Sequence, residues 1–162
     1  MTTKQRFEHI LRWFEQNMPV AESELVYNNP YELLVAVMLS AQCTDKRVNQ
    51  VTDILFKKAN SPQKMIELGE AQITEIIKPC GFFKTKGRHI FSLSEILLEK
   101  YSSEVPQTFA ELESLPGVGH KTASVVMSHI FKIPAFPVDT HIHRLAKRWQ
   151  LSDGESVEKT ER

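Results

Sequence analysis

The stretch "SLPGVGHKTASVV", residues 114–126, decides how the chain is interpreted. A proline and two glycines stop one helical pattern, and Lys121 follows just as a new apolar run begins. This spacing predicts a tight turn with Lys121 in the first turn of the next helix.

Three interpretations of this turn differ in chemistry. A P-loop needs a glycine directly before Lys-Ser/Thr and a preceding strand, whereas His120 separates Gly119 from Lys121 and the preceding segment has a helical pattern. A purely structural turn would leave Lys121 as a solvated residue. A helix-hairpin-helix element would instead bind a DNA phosphate through backbone N–H groups at a helix N-terminus. The second and third interpretations stay open on these residues alone.

A lysine at this place also has chemical meaning. Positive potential at a helix N-terminus and partial burial, both expected here, favour the neutral and nucleophilic form of an amine. Such an amine attacks a carbonyl-like carbon and forms a Schiff base. Lys121 is therefore a candidate nucleophile beside a bound phosphate.

A second candidate segment is "PVDTHIHR", residues 137–144. Asp139 is predicted to cap a helix, and its carboxylate is also suited to acid–base work or to stabilising positive charge on a sugar. His141 and His143 are two residues apart and point to different helix faces, so they do not suggest a metal pair. The basic run 141–148 is typical of a solvated helix face or of a nucleic-acid contact.

Composition restricts the class of protein. The 162 residues include 20 basic and 20 acidic side chains, so net charge neither favours nor excludes a DNA partner. No apolar run is long enough to span a membrane, and the charged N-terminus lacks the pattern of a signal peptide. Cys43 and Cys80 have no CxxC partner, which favours reduced cytosolic thiols over a disulfide or metal site.

The dominant periodicity is helical, and no alternating strand pattern is found, so we predict an all-α protein of many short helices. The first helix is expected over 3–17 with Thr3 as its cap. Asn29-Pro30, Thr44, Ser61-Pro62 and Thr108 are predicted to begin further helices. "YELLVAVMLSAQ", residues 31–42, is apolar nearly all round, which predicts a buried helix.

Taken together, these segments resemble the endonuclease III family of DNA glycosylases. "LPGVGHKTA" resembles the helix-hairpin-helix of that family, and "VDTHIHR" resembles its aspartate segment. "ELLVAVMLSAQCTD" is similar to the family's "LLSAQATD"-type helix, and "CGFFKTKGRHI" to its "GLYNSKA"-type loop. The likeness extends over nearly the whole chain.

The resemblance implies roles for individual residues. Lys121 would be the Schiff-base nucleophile at C1′ of a damaged nucleotide, and Asp139 its acidic partner. Gln42 would enter the gap left by the flipped nucleotide, and Phe82 stands where the family usually has a leucine wedge. Further DNA contacts would come from Gly117, Val118, Gly119, His120 and His141, and the base pocket would be lined by Ser40, Asp45 and Glu113.

The resemblance also implies a fold and a reaction. The fold would be two-lobed, with one multi-helix lobe over 22–132 and a second lobe from 1–21 and 133–162. The enzyme would remove oxidised pyrimidines from double-stranded DNA, with DNA in the groove between the lobes, and cut the strand 3′ to the abasic site by β-elimination. Related adenine glycosylases lack this lysine, so Lys121 argues against base removal alone. We expect a monomer in the cytoplasm, associated with the nucleoid and not with a membrane.

One feature departs from the family pattern. A [4Fe–4S] cluster held by four cysteines near the C-terminus is expected for the family, but no cysteine follows Cys80. We therefore expect an incomplete second lobe, truncated before the cluster cysteines, and a chain of low stability and activity. The alternative function is a catalytically impaired remnant that only binds DNA through its hairpin.

Overall fold

The computed structural model describes residues 1–18, 23–135 and 137–161, and within these ranges the regular structure is helical and contains no strand. The predicted all-α class is confirmed. None of the described helices is long and apolar enough to cross a membrane. The helices are α1 Thr3–Asn17, α2 Pro30–Ser40, α3 Asp45–Lys58, α4 Pro62–Leu68, α5 Glu70–Ile76, α6 Phe83–Tyr101, α7 Phe109–Glu113, α8 His120–His129, α9 Thr140–Arg148 and α10 Val157–Glu161, with a 3₁₀ turn Lys78–Cys80 before α6.

Side-chain caps start many of these helices. Asn29, Thr44, Ser61 and Thr108 each accept a hydrogen bond from the backbone N–H three residues later, as their sequence positions predict. The first helix differs from expectation, since its cap is Thr2 and not Thr3. Thr2 has the advantage of a reciprocal bond with the Gln5 side chain, which forms a capping box.

The chain divides into two compact units, Met1–Ser23 with Phe136–Arg162, and Glu24–Ala135. The larger unit, Glu24–Ala135, is built around α2. Nine of the eleven residues of α2 are buried, because α3, α6 and α8 pack against it from different sides. Its apolar surface all round is what such an environment requires.

Polar groups within this core are hydrogen-bonded. The hydroxyl groups of Tyr31 and Ser94 lie 2.6 Å apart and connect α2 to α6. The carboxylate of Glu32, which is 2% exposed, accepts from the backbone N–H of Asn28 at 2.7 Å and from its side chain at 3.2 Å. These bonds offset the cost of taking polar groups out of water.

The smaller unit contains α1, α9 and α10. Arg6 in α1 donates to the carbonyl of Gln150 at 3.1 Å, and His143 in α9 lies 2.8 Å from the hydroxyl of Thr160 in α10. Neither α1 nor α9 has a buried residue. In α1, large apolar side chains face solvent at Phe7, Leu11, Trp13 and Phe14.

The cap of α2 provides a stability test. Asn29→Ala removes the bond to the Glu32 N–H at 2.8 Å, and we expect the free energy of unfolding to fall by about 1 kcal/mol. Urea unfolding followed by circular dichroism measures this. Gln50→Ala, an exposed change inside α3, is the control and should be close to neutral. Equal losses in both variants would contradict the assignment of Asn29 as a cap.

Candidate DNA-binding hairpin and catalytic residues

The helix-hairpin-helix expected from the sequence is formed by α7, the turn at residues 114–119, and α8. The turn is closed by backbone hydrogen bonds from Leu115 to Leu112 and from Val118 to Leu115, both 3.1 Å long. The Val118 side chain is 6% exposed and joins the hydrophobic core. Packing of the Val118 side chain in the core therefore holds the backbone of the turn in place.

Gly117 is required at its position for two reasons. Its φ of +74° lies in the left-handed region that side chains disfavour. A Cβ atom there would also lie 2.7 Å from His89 Nδ1 and 2.9 Å from Met38 Cε. The hairpin can approach α2 and α6 this closely only because residue 117 is glycine.

Gly119 serves a different purpose. Its φ of −91° is ordinary, and a Cβ atom there would meet nothing within 4 Å. It is the N-cap of α8 and provides no side-chain cap, and the space where a side chain would stand is empty. Backbone N–H groups at a helix N-terminus favour an anion such as phosphate.

Lys121 is the second residue of α8, in its first turn, as predicted. Its side chain is exposed, so the expectation of partial burial was wrong. The reason is that α8 directs other residues, Ala123, Ser124, Val126 and Met127, into the core. Exposure places the amine where a large substrate can reach it.

His120 links the two helices of the hairpin. Its Nδ1 lies 2.7 Å from Oε1 of Glu113, and its ring stacks on Phe109 with centroids 5.6 Å apart. Glu113, a predicted base-pocket residue, therefore lies beside the lysine segment and is 38% exposed. This pair connects α7 to the first residue of α8.

Gln42 lies in a tight turn that follows α2. The Cys43 N–H donates to the Ser40 carbonyl at 3.1 Å, and Ala41 and Gln42 have φ values of −59° and +55°. These features are those of a type II turn, in which the third residue has positive φ and is usually glycine. Gln42 is exposed in this strained conformation.

Two further predicted residues, Ser40 and Asp45, lie close to Gln42 in the chain, and Phe82 lies in a separate loop. The Ser40 hydroxyl donates to the carbonyl of Val37 at 2.7 Å, and Asp45 begins α3. Phe82 precedes α6 with φ +45° and ψ +29°, and its side chain is 67% exposed. Left-handed conformations of non-glycine residues are costly and cluster at functional sites.

Lys86 was not predicted as a site residue, and its environment is unusual. Its side chain is buried, and Nζ donates to the carbonyls of Leu39 at 2.9 Å, Ala41 at 2.7 Å and Cys80 at 3.2 Å. Burial lowers the pKa of the Lys86 amine, while the neighbouring cysteines, Cys80 and Cys43, oppose that shift. Nothing local in the sequence distinguishes this lysine, because two of its three acceptors, the carbonyls of Leu39 and Ala41, lie 47 and 45 residues before it.

The two cysteines, Cys43 and Cys80, are free thiols that lie near one another beside Lys86. Burial raises the pKa of Cys80 to about 11, and the neighbouring Cys43 adds to the shift. A [4Fe–4S] cluster needs four thiolates, and among the described residues no three His, Cys, Asp or Glu side chains are grouped to hold a metal. The residues of this chain do not fit the cluster.

Asp139 belongs to the smaller unit, where it caps α9. Its Oδ1 accepts from the N–H of Ile142 at 2.9 Å, as the sequence predicted. His141, in the first turn of α9, is exposed, and its Nδ1 lies 3.0 Å from an Arg144 nitrogen.

Comparisons with known proteins agree with this geometry. Residues 35–162 match the family model of the HhH-GPD superfamily base excision DNA repair proteins. Endonuclease III of Rickettsia felis is 46% identical over 153 residues, which are 94% of this chain and 72% of that protein. A non-covalent endonuclease III–DNA complex aligns with a TM-score of 0.92 at 44% identity, covering 99% of this chain and 76% of the other.

A trapped endonuclease III–DNA covalent intermediate, an estranged-adenine complex, aligns equally well, with a TM-score of 0.92. The fold and the hairpin thus define a helix-hairpin-helix base excision repair protein. Within that superfamily, the chain belongs to the endonuclease III family.

The two hairpin glycines make a matched pair of variants. Gly117→Ala should lower the free energy of unfolding by about 2 kcal/mol or more, because of both the positive φ and the contact with His89. Gly119→Ala, with an ordinary φ and open space, should lower it by less than about 1 kcal/mol. Thermal melting of both variants measures the difference. Similar losses would show that the close approach of residue 117 is unimportant.

Proposed function

We propose that the protein is a base excision repair DNA glycosylase with abasic-site lyase activity on double-stranded DNA. The observation that carries this proposal is an exposed lysine, Lys121, two residues after an open glycine cap. This arrangement brings a nucleophilic amine beside the place where a DNA phosphate would be bound. The trapped covalent complex of an endonuclease III relative supports the same chemistry.

The hairpin would bind the DNA backbone without reading sequence. Gly119 leaves space for a phosphate oxygen, and N–H groups at the start of α8 supply donors. Gly117 and Val118 hold the loop close against the core, and His120 extends the contact surface at the helix start. Contacts of this kind position an enzyme on a duplex and leave selectivity to the damaged base.

The nucleotide must leave the stack before Lys121 can reach C1′. Gln42 would fill the gap and Phe82 would wedge into the duplex, since both are exposed on left-handed turns. Ser40, Asp45 and Glu113 would line the pocket for the extruded base. We assign oxidised pyrimidines as the damaged bases.

The covalent step follows from the amine. Nζ of Lys121 attacks C1′, the glycosidic bond breaks, and the base leaves with a proton. Ring opening gives an imine, which acidifies the C2′ proton. Removal of that proton breaks the C3′–O bond and cuts the strand on the 3′ side, and water then hydrolyses the imine to free the lysine. Asp139 would accept or donate protons in these steps and stabilise positive charge on the sugar, and His141 would contact DNA.

We propose that the protein acts as a monomer in the cytoplasm, on the DNA of the nucleoid.

Borohydride trapping tests the nucleophile. The wild-type chain, incubated with an abasic-site duplex and borohydride, should form a covalent adduct that Lys121→Gln abolishes. Lys100→Gln, an exposed change at the end of α6, is the control and should trap normally. An adduct that persists in Lys121→Gln would refute the assignment of Lys121. A folded wild-type chain that binds DNA without trapping would indicate a DNA-binding module.

Asp139→Asn separates the two roles of that carboxylate. Asparagine caps helices as well as aspartate, so the free energy of unfolding should change by less than about 0.5 kcal/mol. The lost charge should lower the single-turnover cleavage rate by about a hundredfold. Asp139→Ala, which removes cap and charge together, should lose stability as well. Full cleavage activity in Asp139→Asn would mean that Asp139 only caps α9.

A further inference from the structure

Lys86 is a buried cation whose partners are all backbone carbonyls. Three N–H donors of an ammonium meet three acceptors, the carbonyl oxygens of Leu39, Ala41 and Cys80, at 2.7–3.2 Å. We call this arrangement the Lys86 cluster. It satisfies the donors of the lysine and terminal carbonyls of both α2 and the 3₁₀ turn, where a positive charge is favourable.

The Lys86 cluster holds the two loops that present exposed side chains in left-handed conformations. Ala41 directly precedes Gln42, so Lys86 fixes the peptide plane from which Gln42 departs. Cys80 precedes Gly81 and Phe82, so the same amine fixes the start of the second loop. The Lys86 side chain therefore fixes the positions of the two loops relative to each other.

The strain in these loops needs such support. Non-glycine residues with positive φ cost about 1 kcal/mol or more each and persist only where surrounding structure imposes them. The Gln42 and Phe82 side chains are exposed, so packing of these side chains does not impose it. The Lys86 amine binds backbone carbonyls in both loops and so supports these conformations, together with the turn hydrogen bond from Cys43 to Ser40.

We propose that Lys86 is a positioning residue that holds Gln42 and Phe82 in register for insertion into duplex DNA. This inference rests on the proposed function, in which these two side chains enter the duplex. Lys86 itself touches neither the damaged nucleotide nor the reacting atoms. Loss of Lys86 should therefore affect cleavage of duplex DNA, in which stacked bases must be separated and a gap filled, and not reaction with a single strand.

Two substrates test the inference with one variant. Lys86→Met keeps the length and apolar stem of the side chain but removes its donors. On a duplex with one abasic site, its cleavage efficiency should fall by about tenfold or more, because misplaced contact groups weaken productive binding. On a single strand with the same abasic site, borohydride trapping should stay within about twofold of wild type. Lys100→Met, exposed on the same helix, should match wild type on both substrates.

A double-mutant comparison separates positioning from general folding effects. In a Gln42→Ala/Phe82→Ala background the residues that Lys86 positions are gone, so adding Lys86→Met should reduce duplex cleavage no further. Independent effects would instead add. Equal losses of Lys86→Met on duplex and single strand, or a further loss in the double-alanine background, would overturn the inference.

Failure of the inference differs from failure of the proposed function. A wild-type chain that traps on neither substrate overturns both. A trapping wild type with normal duplex cleavage by Lys86→Met overturns the inference alone. If thermal melting shows that Lys86→Met does not fold, Lys86→Arg replaces it, because the charge stays while a planar fork cannot meet three separate carbonyls. That variant should show a smaller loss, again on the duplex only, and equal losses on both substrates would count against the inference.

Discussion

Burial of α2 on every side is the constraint on which the larger unit depends. Its apolar residues pack against α3, α6 and α8 at the same time, so the helix cannot rotate or shift without exposing some of them. Its N-terminus is fixed by Asn29, and its C-terminus is fixed by Lys86. The hairpin glycine Gly117 lies against Met38 of this helix, so the loop that would bind DNA is built on the same core.

Much of the fold follows from local rules that can be applied to the sequence. Caps such as Asn29 and Thr108 act through hydrogen bonds three residues away, and such bonds depend little on the rest of the molecule. The buried character of α2 follows from composition alone. The cap of the first helix is Thr2, one residue before the predicted Thr3. Either of the two adjacent threonines could cap the helix, and the reciprocal bond with Gln5 favours Thr2.

The residues of the candidate site also fall into two groups, those that local motifs predict and those that depend on distant contacts. The hairpin and Asp139 were predictable because each is a local motif, a glycine turn or a capped helix start. The exposure of Lys121 was not, since it depends on which face of α8 meets the core. Lys86 was missed for a related reason. Two of its three acceptors lie 45 and 47 residues before it in the α2 segment, and no sequence pattern links positions so far apart.

The Cys80 thiol next to Lys86 has a consequence for the conditions in which a repair protein works. Oxidants attack the thiolate and not the thiol. Burial and the neighbouring Cys43 raise the pKa of Cys80 to about 11, so the thiol form of this side chain is favoured over the reactive thiolate. Oxidation is therefore disfavoured at Cys80, the residue whose carbonyl Lys86 binds, so the contact between Lys86 and this loop does not depend on a reactive thiolate.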